Sequence, residues 1–277
     1  AIDGEMVCFS PHHEAGKVEI SLIWSDMSGT QGTEPLMFKY FKMPRISMLV
    51  PSSGPTHGGT TVELYGDDFD ADGFYCRFGG HVAGRGLYVS STSARCVTPA
   101  MPVGISYVEP SANGEDFSAQ QVQFEYTRMP LISSISPAFV SEKGGTNITV
   151  VGSGFLSSGA VQCKLGPDVI SPALFLSSEA IVCAVSAHSP GNVSLAVSNN
   201  GVDFTTSYNS VVYTPHVNVA SISPSLGPVS GGTPVVIGVS SAAMALLKSC
   251  QFGRDIVLAE AIDGEMVCFS PHHEAGK

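Results

Sequence analysis

Gly144-Gly145-Thr146-Asn147-Ile148-Thr149-Val150-Val151-Gly152-Ser153-Gly154-Phe155 occurs three times in degraded form, the other copies being GGTTVELYGDDF from Gly58 and GGTPVVIGVSSA from Gly231. Within each copy apolar residues alternate: Val62 with Leu64, Ile148 with Val150, Val235 with Ile237. A period of two is that of a strand with one buried face. Thr61, Glu63, Asn147 and Thr149 are therefore expected to face solvent. Before each strand stands SSGPTHGG, AFVSEKGG or LGPVSGG, a tight turn whose paired glycines supply positive φ angles.

The cysteines share the same period. Cys76 to Cys163, Cys163 to Cys250 and Cys96 to Cys183 are each 87 residues (163 − 76, 250 − 163, 183 − 96). A fixed period of this size marks a repeat architecture and is settled before any residue is given a role. A longer period lies over it, because AIDGEMVCFSPHHEAGK spans Ala1 to Lys17 and returns unchanged from Ala261 to Lys277. That offset of 260 (261 − 1) is close to three of the short repeats, so the chain reads as slightly more than one turn of a three-domain unit.

For 277 residues the usual expectation is about two domains, but the repeat overrides it with units the size of an immunoglobulin-type sandwich. Glycine (30) and proline (18) are plentiful and charged residues are only 13%, as suits many short strands joined by turns. A formal net charge of −11 argues against nucleic acid, whose phosphates require a basic face. The longest apolar run, AAMALL before Lys248, falls far short of the ~20 residues that cross a bilayer. Ala1 opens in mid-domain without a charged and apolar leader, so a signal peptide or anchor, if there is one, is expected outside this stretch.

Taken in order, residues 1–42 read as the C-terminal half of a domain, with strands in VEISLIW and LMFKYFK. Residues 43–128 and 129–213 read as complete domains on one plan. Residues 214–277 start a third and stop just after its second cysteine. So few residues separate consecutive domains, Thr127 to Pro130 for example, that no free linker fits. An all-β chain of immunoglobulin-like sandwiches in a stiff linear row is expected.

The combined pattern is I-x-x-I-x-P, G-P-x-x-G-G-T, an alternating strand, G-x-x-F, C-x-F-G, a second cysteine, V-x-V-S-x-N-G-x-x-F and a closing F-x-Y. It resembles the IPT/TIG family of immunoglobulin-like domains found in plexins, growth-factor receptor ectodomains, Rel-type transcription factors and many surface proteins. In the middle domain the matching residues are Ser136-Pro137, Gly144-Gly145-Thr146, Gly152, Phe155, Cys163, Cys183 and Asn200-Gly201. The third domain departs most, running VSSAAMALLKSC after Gly238 where the others have G-x-x-F. The resemblance implies a fold and no common chemistry.

Pairs recurring in register predict three bonds, Cys76 with Cys96, Cys163 with Cys183 and Cys250 with Cys268, the alternative being buried free thiols. The seventh cysteine, Cys8, is the copy of Cys268, and its partner is expected in a preceding domain. No C-x-x-C occurs, so zinc is not expected. The spacing differs from that of the inter-sheet bridge of antibody domains, so a different staple is expected. Disulfides imply an oxidising, extracellular or cell-surface address. Two N-x-[ST] sequons agree with it: Asn147 on the solvent side of its strand and Asn192 where a loop enters a strand, both expected to carry N-glycans.

Asp68, Asp70 and Asp72 with Gly73 form D-x-D-x-D-G, the carboxylate spacing of a calcium loop, although the closing Glu is missing and a solvated acidic loop is the competing reading. His12-His13-Glu14, repeated as His272-His273-Glu274, is a weaker metal candidate. Trp24, just past a strand, is expected first to cap its own core, and it is the best single candidate for a partner's anchor. No catalytic or cofactor motif appears, so an enzyme is not expected and no cofactor beyond that calcium is called. The leading functional expectation is a glycosylated extracellular filament of 260-residue units joined head to tail, with copies of itself as partner. Its alternatives are a segment of a receptor or adhesin ectodomain, and accessory domains of a secreted carbohydrate-acting enzyme.

Overall fold

The computed structural model describes residues 7–21, 36–206, 209–216, 219–239, 248–262 and 265–274; Trp24 lies outside them. Among the described residues every regular element is a strand. By its contacts the chain divides into two compact units, residues 1–129 with 200–203, and residues 130–199 with 204–277.

In the first unit β1 (Gly16–Ile20) and β2 (Leu36–Tyr40) form an antiparallel hairpin with Gly16 opposite Tyr40. There follow β3 (Arg45–Val50), β4 (Ser53–Pro55), β5 (Thr61–Asp67), β6 (Tyr75–Phe78), β7 (His81–Arg85), β8 (Leu87–Ser90), β9 (Ser93–Val97), β10 (Gly104–Ser111) and β11 (Val122–Thr127). They make two sheets, β3-β5-β9-β8 and β4-β11-β10-β6-β7. The alternation in the organising strand does what its period requires: Val62 and Leu64 are buried, Thr61 is exposed and Glu63 half-buried. Their inward faces join Phe78, Val108, Phe124 and Tyr126 in one core. Each such large apolar side chain contributes roughly 1.5–3 kcal/mol on burial.

The second unit repeats the plan with β12 (Leu131–Ser136), β13 (Phe139–Ser141), β14 (Asn147–Ser153), β15 (Gln162–Leu165), β16 (Val169–Ser177), β17 (Ala180–Ala184), β18 (Gly191–Ser198) and β19 (Asn209–Thr214). Here one nine-residue strand, β16, pairs with β15 at its start and β17 at its end, so the eight strands run as a continuous order. In the first unit the same path breaks into β7 and β8 at Gly86. A Cβ there would stand 2.7 Å from the Cys96 sulfur and 2.8 Å from the Arg95 carbonyl oxygen. Gly86 N–H donates to the Phe74 carbonyl at 2.7 Å, and Ala173 N–H makes the equivalent bond to Val161 at 2.9 Å. The same unit also holds β20 (Val219–Ser223), β21 (Pro234–Val239), β22 (Ser249–Phe252), β23 (Asp255–Ile262) and β24 (Glu265–Phe269), in the order β20-β21-β24-β23-β22. In this third copy Val235 is buried and Ile237 half-buried.

The paired glycines do the turning that the sequence assigns them. Gly58, Gly144 and Gly231 have φ of 72°, 68° and 75°, and their successors 88°, 79° and 82°. Positive φ is not the only constraint on the first of each pair, since a Cβ on Gly58 or Gly231 would lie 2.6 Å from the carbonyl carbon of Pro99 or Pro271. The second glycine's N–H then ties the turn to the opposing strand end, at Thr98, Val185 or Ser270.

Disulfides join Cys76 of β6 to Cys96 of β9, Cys163 of β15 to Cys183 of β17, and Cys250 of β22 to Cys268 of β24, with Cα–Cα distances of 6.4, 6.0 and 6.3 Å. Because β6 and β9 belong to different sheets, the first bond crosses the sandwich. The expectation of a staple unlike the inter-sheet bridge is corrected on this point: the strands it joins are close in sequence, yet the two sheets are still bonded through the core.

Candidate functional site

The acidic loop between β5 and β6 has the clearest electrostatics. Asp68 sits at φ 59°, and the Asp72 N–H donates to Asp70 Oδ1 at 2.9 Å, so the loop closes on its own carboxylate. Lys39 of β2 reaches into it, its Nζ lying 2.7 Å from Asp70 Oδ2 and 2.6 Å from Asp72 Oδ2. A side-chain ammonium thus serves two of the three carboxylates expected to hold calcium, Asp68, Asp70 and Asp72, and no metal-ligating group of three forms among the described residues. Lys39 was not legible as their partner because 31 residues separate it from Asp70 and only tertiary structure brings them together.

The hydrogen bonds to Asp70 and then Asp72 raise the Lys39 pKa above its ordinary value. Lys39 holds the Asp72 carboxyl below its own. The sign follows for each group. The Asp72 part of this clip is complete above the ordinary carboxylate pKa and is lost as pH falls through the lowered one. The Lys39 part is complete below the ordinary lysine pKa and is lost as pH rises through the raised one. Exposed pairs of this kind contribute little at neutral pH. Excess calcium, or a chelator, is expected to leave the melting temperature unchanged; a rise with calcium that Asp70→Asn abolishes would support the metal reading.

The remaining sequence candidates are dispersed. Asn147 opens β14 and Asn192 lies in β18; both are exposed. His13 and His273 each spend Nδ1 on the carbonyl oxygen of the following glutamate, at 2.7 and 2.9 Å. Cys8 carries an exposed free thiol.

Two matching tyrosines differ in one respect that sequence could not show. Tyr213 of β19 donates its hydroxyl to the Ser186 carbonyl at 3.2 Å. Tyr126 of β11 is fully buried with its hydroxyl unpaired, and burial, only partly offset by nearby Thr98, pushes its pKa up to about 12. A buried unpaired hydroxyl costs about 1–3 kcal/mol, while an ordinary hydrogen bond contributes about 0.5–1.5. Tyr126→Phe is expected to raise unfolding stability by about 1 kcal/mol and Tyr213→Phe to lower it by about as much, read by denaturant titration.

A groove of about 380 Å³ opens in the C-terminal part of the second unit, lined by Ile222, Leu226, Val229, Val235, Phe252 and His273 among others. Leu226 is 82% exposed there.

These observations define a class: disulfide-bonded, immunoglobulin-like β-sandwich domains in tandem. A family model for the IPT/TIG domain matches residues 44–126 and 130–213, and the chain belongs to that family. Human Plexin-A3 is 32% identical over 160 residues, 51% of this chain and 8% of the relative. Mouse Fibrocystin-L is 29% identical over 199 residues, 68% of this chain and 4% of the relative. A structure of the full extracellular region of Plexin A4 aligns over 92% of this chain and 23% of its own, at 20% identity and a TM-score of 0.47. The chain thus spans about a tenth or less of the length of the curated relatives it matches. With three disulfides formed and relatives of this kind, the protein is extracellular or displayed at the cell surface.

Proposed function

We propose that this chain is a segment of the extracellular part of a cell-surface receptor, in which IPT/TIG domains are non-enzymatic spacers. The observation that carries this reading is the family match over two consecutive domains, each with its own disulfide, joined to the sequence similarity with a plexin over half the chain. Short connections and bonded sandwiches suit a part whose work is to hold other domains at a distance. The proposed division is 1–42, 43–128, 129–213 and 214–277. The test is the complete reading frame: a span of ~20 apolar residues elsewhere in the polypeptide supports the proposal, and a frame made only of repeated 260-residue units with no such span contradicts it.

N-glycans at Asn147 and Asn192 belong to the same proposal, since both asparagines are exposed and the address permits glycosylation. Glycopeptide mass spectrometry of native material is expected to find both occupied; two bare asparagines would remove that part.

A head-to-tail filament of 260-residue units is the second reading. It is supported by one observation, the unchanged return of the first seventeen residues at 261–277.

A further inference from the structure

We propose that the glycan on Asn147 lies back over the outward face of β14, β17 and β16 and covers an apolar patch there. The inference deepens the glycan part of the proposed function and rests on Asn147 being occupied.

Strand pairing puts patch and sequon on one face. Ile148, Val150, Ile181 and Cys183 are buried in the core, so the residues alternating with them point outward. Asn147 stands opposite Ala184, Thr149 opposite Val182 and Val151 opposite Ala180. On the other side of β17, Leu174 stands opposite Val182, and Leu176 follows on the same face of β16. Leu174 is 63% exposed, Leu176 54% and Val151 40%. With Val182 between them they make one contiguous apolar stretch across three strands. Single exposed apolar residues are ordinary, but a contiguous patch marks a surface that something covers.

The first sandwich finishes the same face differently. There Thr61 has the place of Asn147, Glu63 that of Thr149 and Arg95 that of Val182, in the same pairing. Arg95 Nη2 lies 2.7 Å from Glu63 Oε1, and the hydroxyl of Tyr65, in the place of Val151, donates to Glu63 Oε2 at 2.7 Å. A charged network therefore runs beside Leu87, which pairs with Arg95 as Leu174 pairs with Val182. In the second sandwich the acid is replaced by the hydroxyl residue that completes Asn147-Ile148-Thr149, and the arginine by valine. The polar cover is missing from the face that holds a glycan acceptor, and this coincidence favours sugar over a partner protein as the occupant.

The geometry gives the glycan room and reach. β12 extends only to Ser136, opposite Thr149, so among the described residues no strand flanks Asn147 on that side, and Asn147 is exposed. Leu174 lies two strands across and two residues along from Asn147, about 12 Å by ordinary strand spacing, within the length of the first few sugars. Their C–H faces and acetyl methyls meet the patch while their hydroxyls stay in water. The linkage itself forms when Asn147 Nδ2 loses a proton and bonds to the anomeric carbon of a lipid-diphosphate-linked oligosaccharide, whose C–O bond to the diphosphate breaks.

The test uses the whole chain, secreted with an Asn192→Gln substitution so that Asn147 is its single sequon. Glycopeptide mass spectrometry first reads occupancy at Asn147. Trimming the glycan to its first sugar with an endoglycosidase is expected to raise the fluorescence of anilinonaphthalene sulfonate, a dye for exposed apolar surface, at least about threefold. The same trimming is expected to leave the fluorescence of Leu174→Ser/Leu176→Ser unchanged. Thr149→Glu/Val182→Arg, which removes the sequon and installs the first sandwich's ion pair, is expected to be as dark without sugar as the untrimmed chain. Circular dichroism checks that each variant is folded, and the trimming arm needs no substitution in the patch. Dye fluorescence that trimming leaves unchanged at an occupied Asn147 overturns the proposal and leaves the patch to another occupant, such as a partner protein. A bare Asn147 overturns the glycosylation reading itself, and the mass spectrum tells the two failures apart.

Discussion

Replacing Cys163 and Cys183 together by alanine is expected to lower unfolding stability by about 3 kcal/mol. The bond closes a loop of 20 residues, and chain-entropy reasoning for a loop of that size gives roughly this figure. Both cysteines are fully buried between the two halves of the sandwich, so the alanines also give up some packing in the same core. The single variant Cys163→Ala is expected to behave at least as badly, since it leaves a buried thiol at Cys183. Denaturant unfolding of the double variant beside the unsubstituted chain measures the difference. A loss below about 0.5 kcal/mol, the scatter of ordinary surface substitutions, would mean that the bond is incidental to this sandwich.

Phe124→Ala is the second large effect, with an expected loss of about 3–5 kcal/mol. Phe124 lies in β11 with no exposed surface, edge-on to Phe78 at 5.7 Å and to Tyr126 at 5.0 Å between ring centroids. Truncation opens a cavity among aromatic rings that are held by β6 on one side and by their own strand on the other, so the site cannot collapse cheaply. Phe38 of β2 has the matching place in the first hairpin and is 38% exposed. Phe38→Ala is expected to cost under about 1.5 kcal/mol in the isolated chain, because little cavity is created there. Equal losses at the two positions would show that the hairpin Gly16–Tyr40 already has a full core around it.

The strands and their buried faces were legible because they repeat. One alternating stretch is ambiguous on its own, but Val62, Ile148 and Val235 occupy matching places 14 or 15 residues before a cysteine (76 − 62, 163 − 148, 250 − 235), and that near-periodicity survives local noise. The paired glycines were legible for a different reason: their positive φ is a local property, carried by the residue type alone. What sequence could not carry was anything set by the third dimension. Lys39 meets Asp70 across 31 residues, and neither spacing nor composition marks the pair. The crossing of the sandwich by Cys76 and Cys96 depends on which sheet each strand joins, and twenty residues of separation do not say so. The contrast between Tyr126 and Tyr213 turns on one carbonyl being in reach of one hydroxyl. The organising repeat also drew the leading expectation toward a filament, where the family match and the plexin similarity favour a receptor segment.

Surface labelling of intact cells that make the native protein, followed by alkaline extraction of their membranes, tests the central claim most directly. An impermeant amine reagent is expected to label peptides from residues 43–213 before permeabilisation, and the labelled polypeptide is expected to stay with the membrane pellet at high pH. Labelling that appears only after permeabilisation, or a labelled polypeptide released entirely into the alkaline supernatant, would contradict a receptor ectodomain.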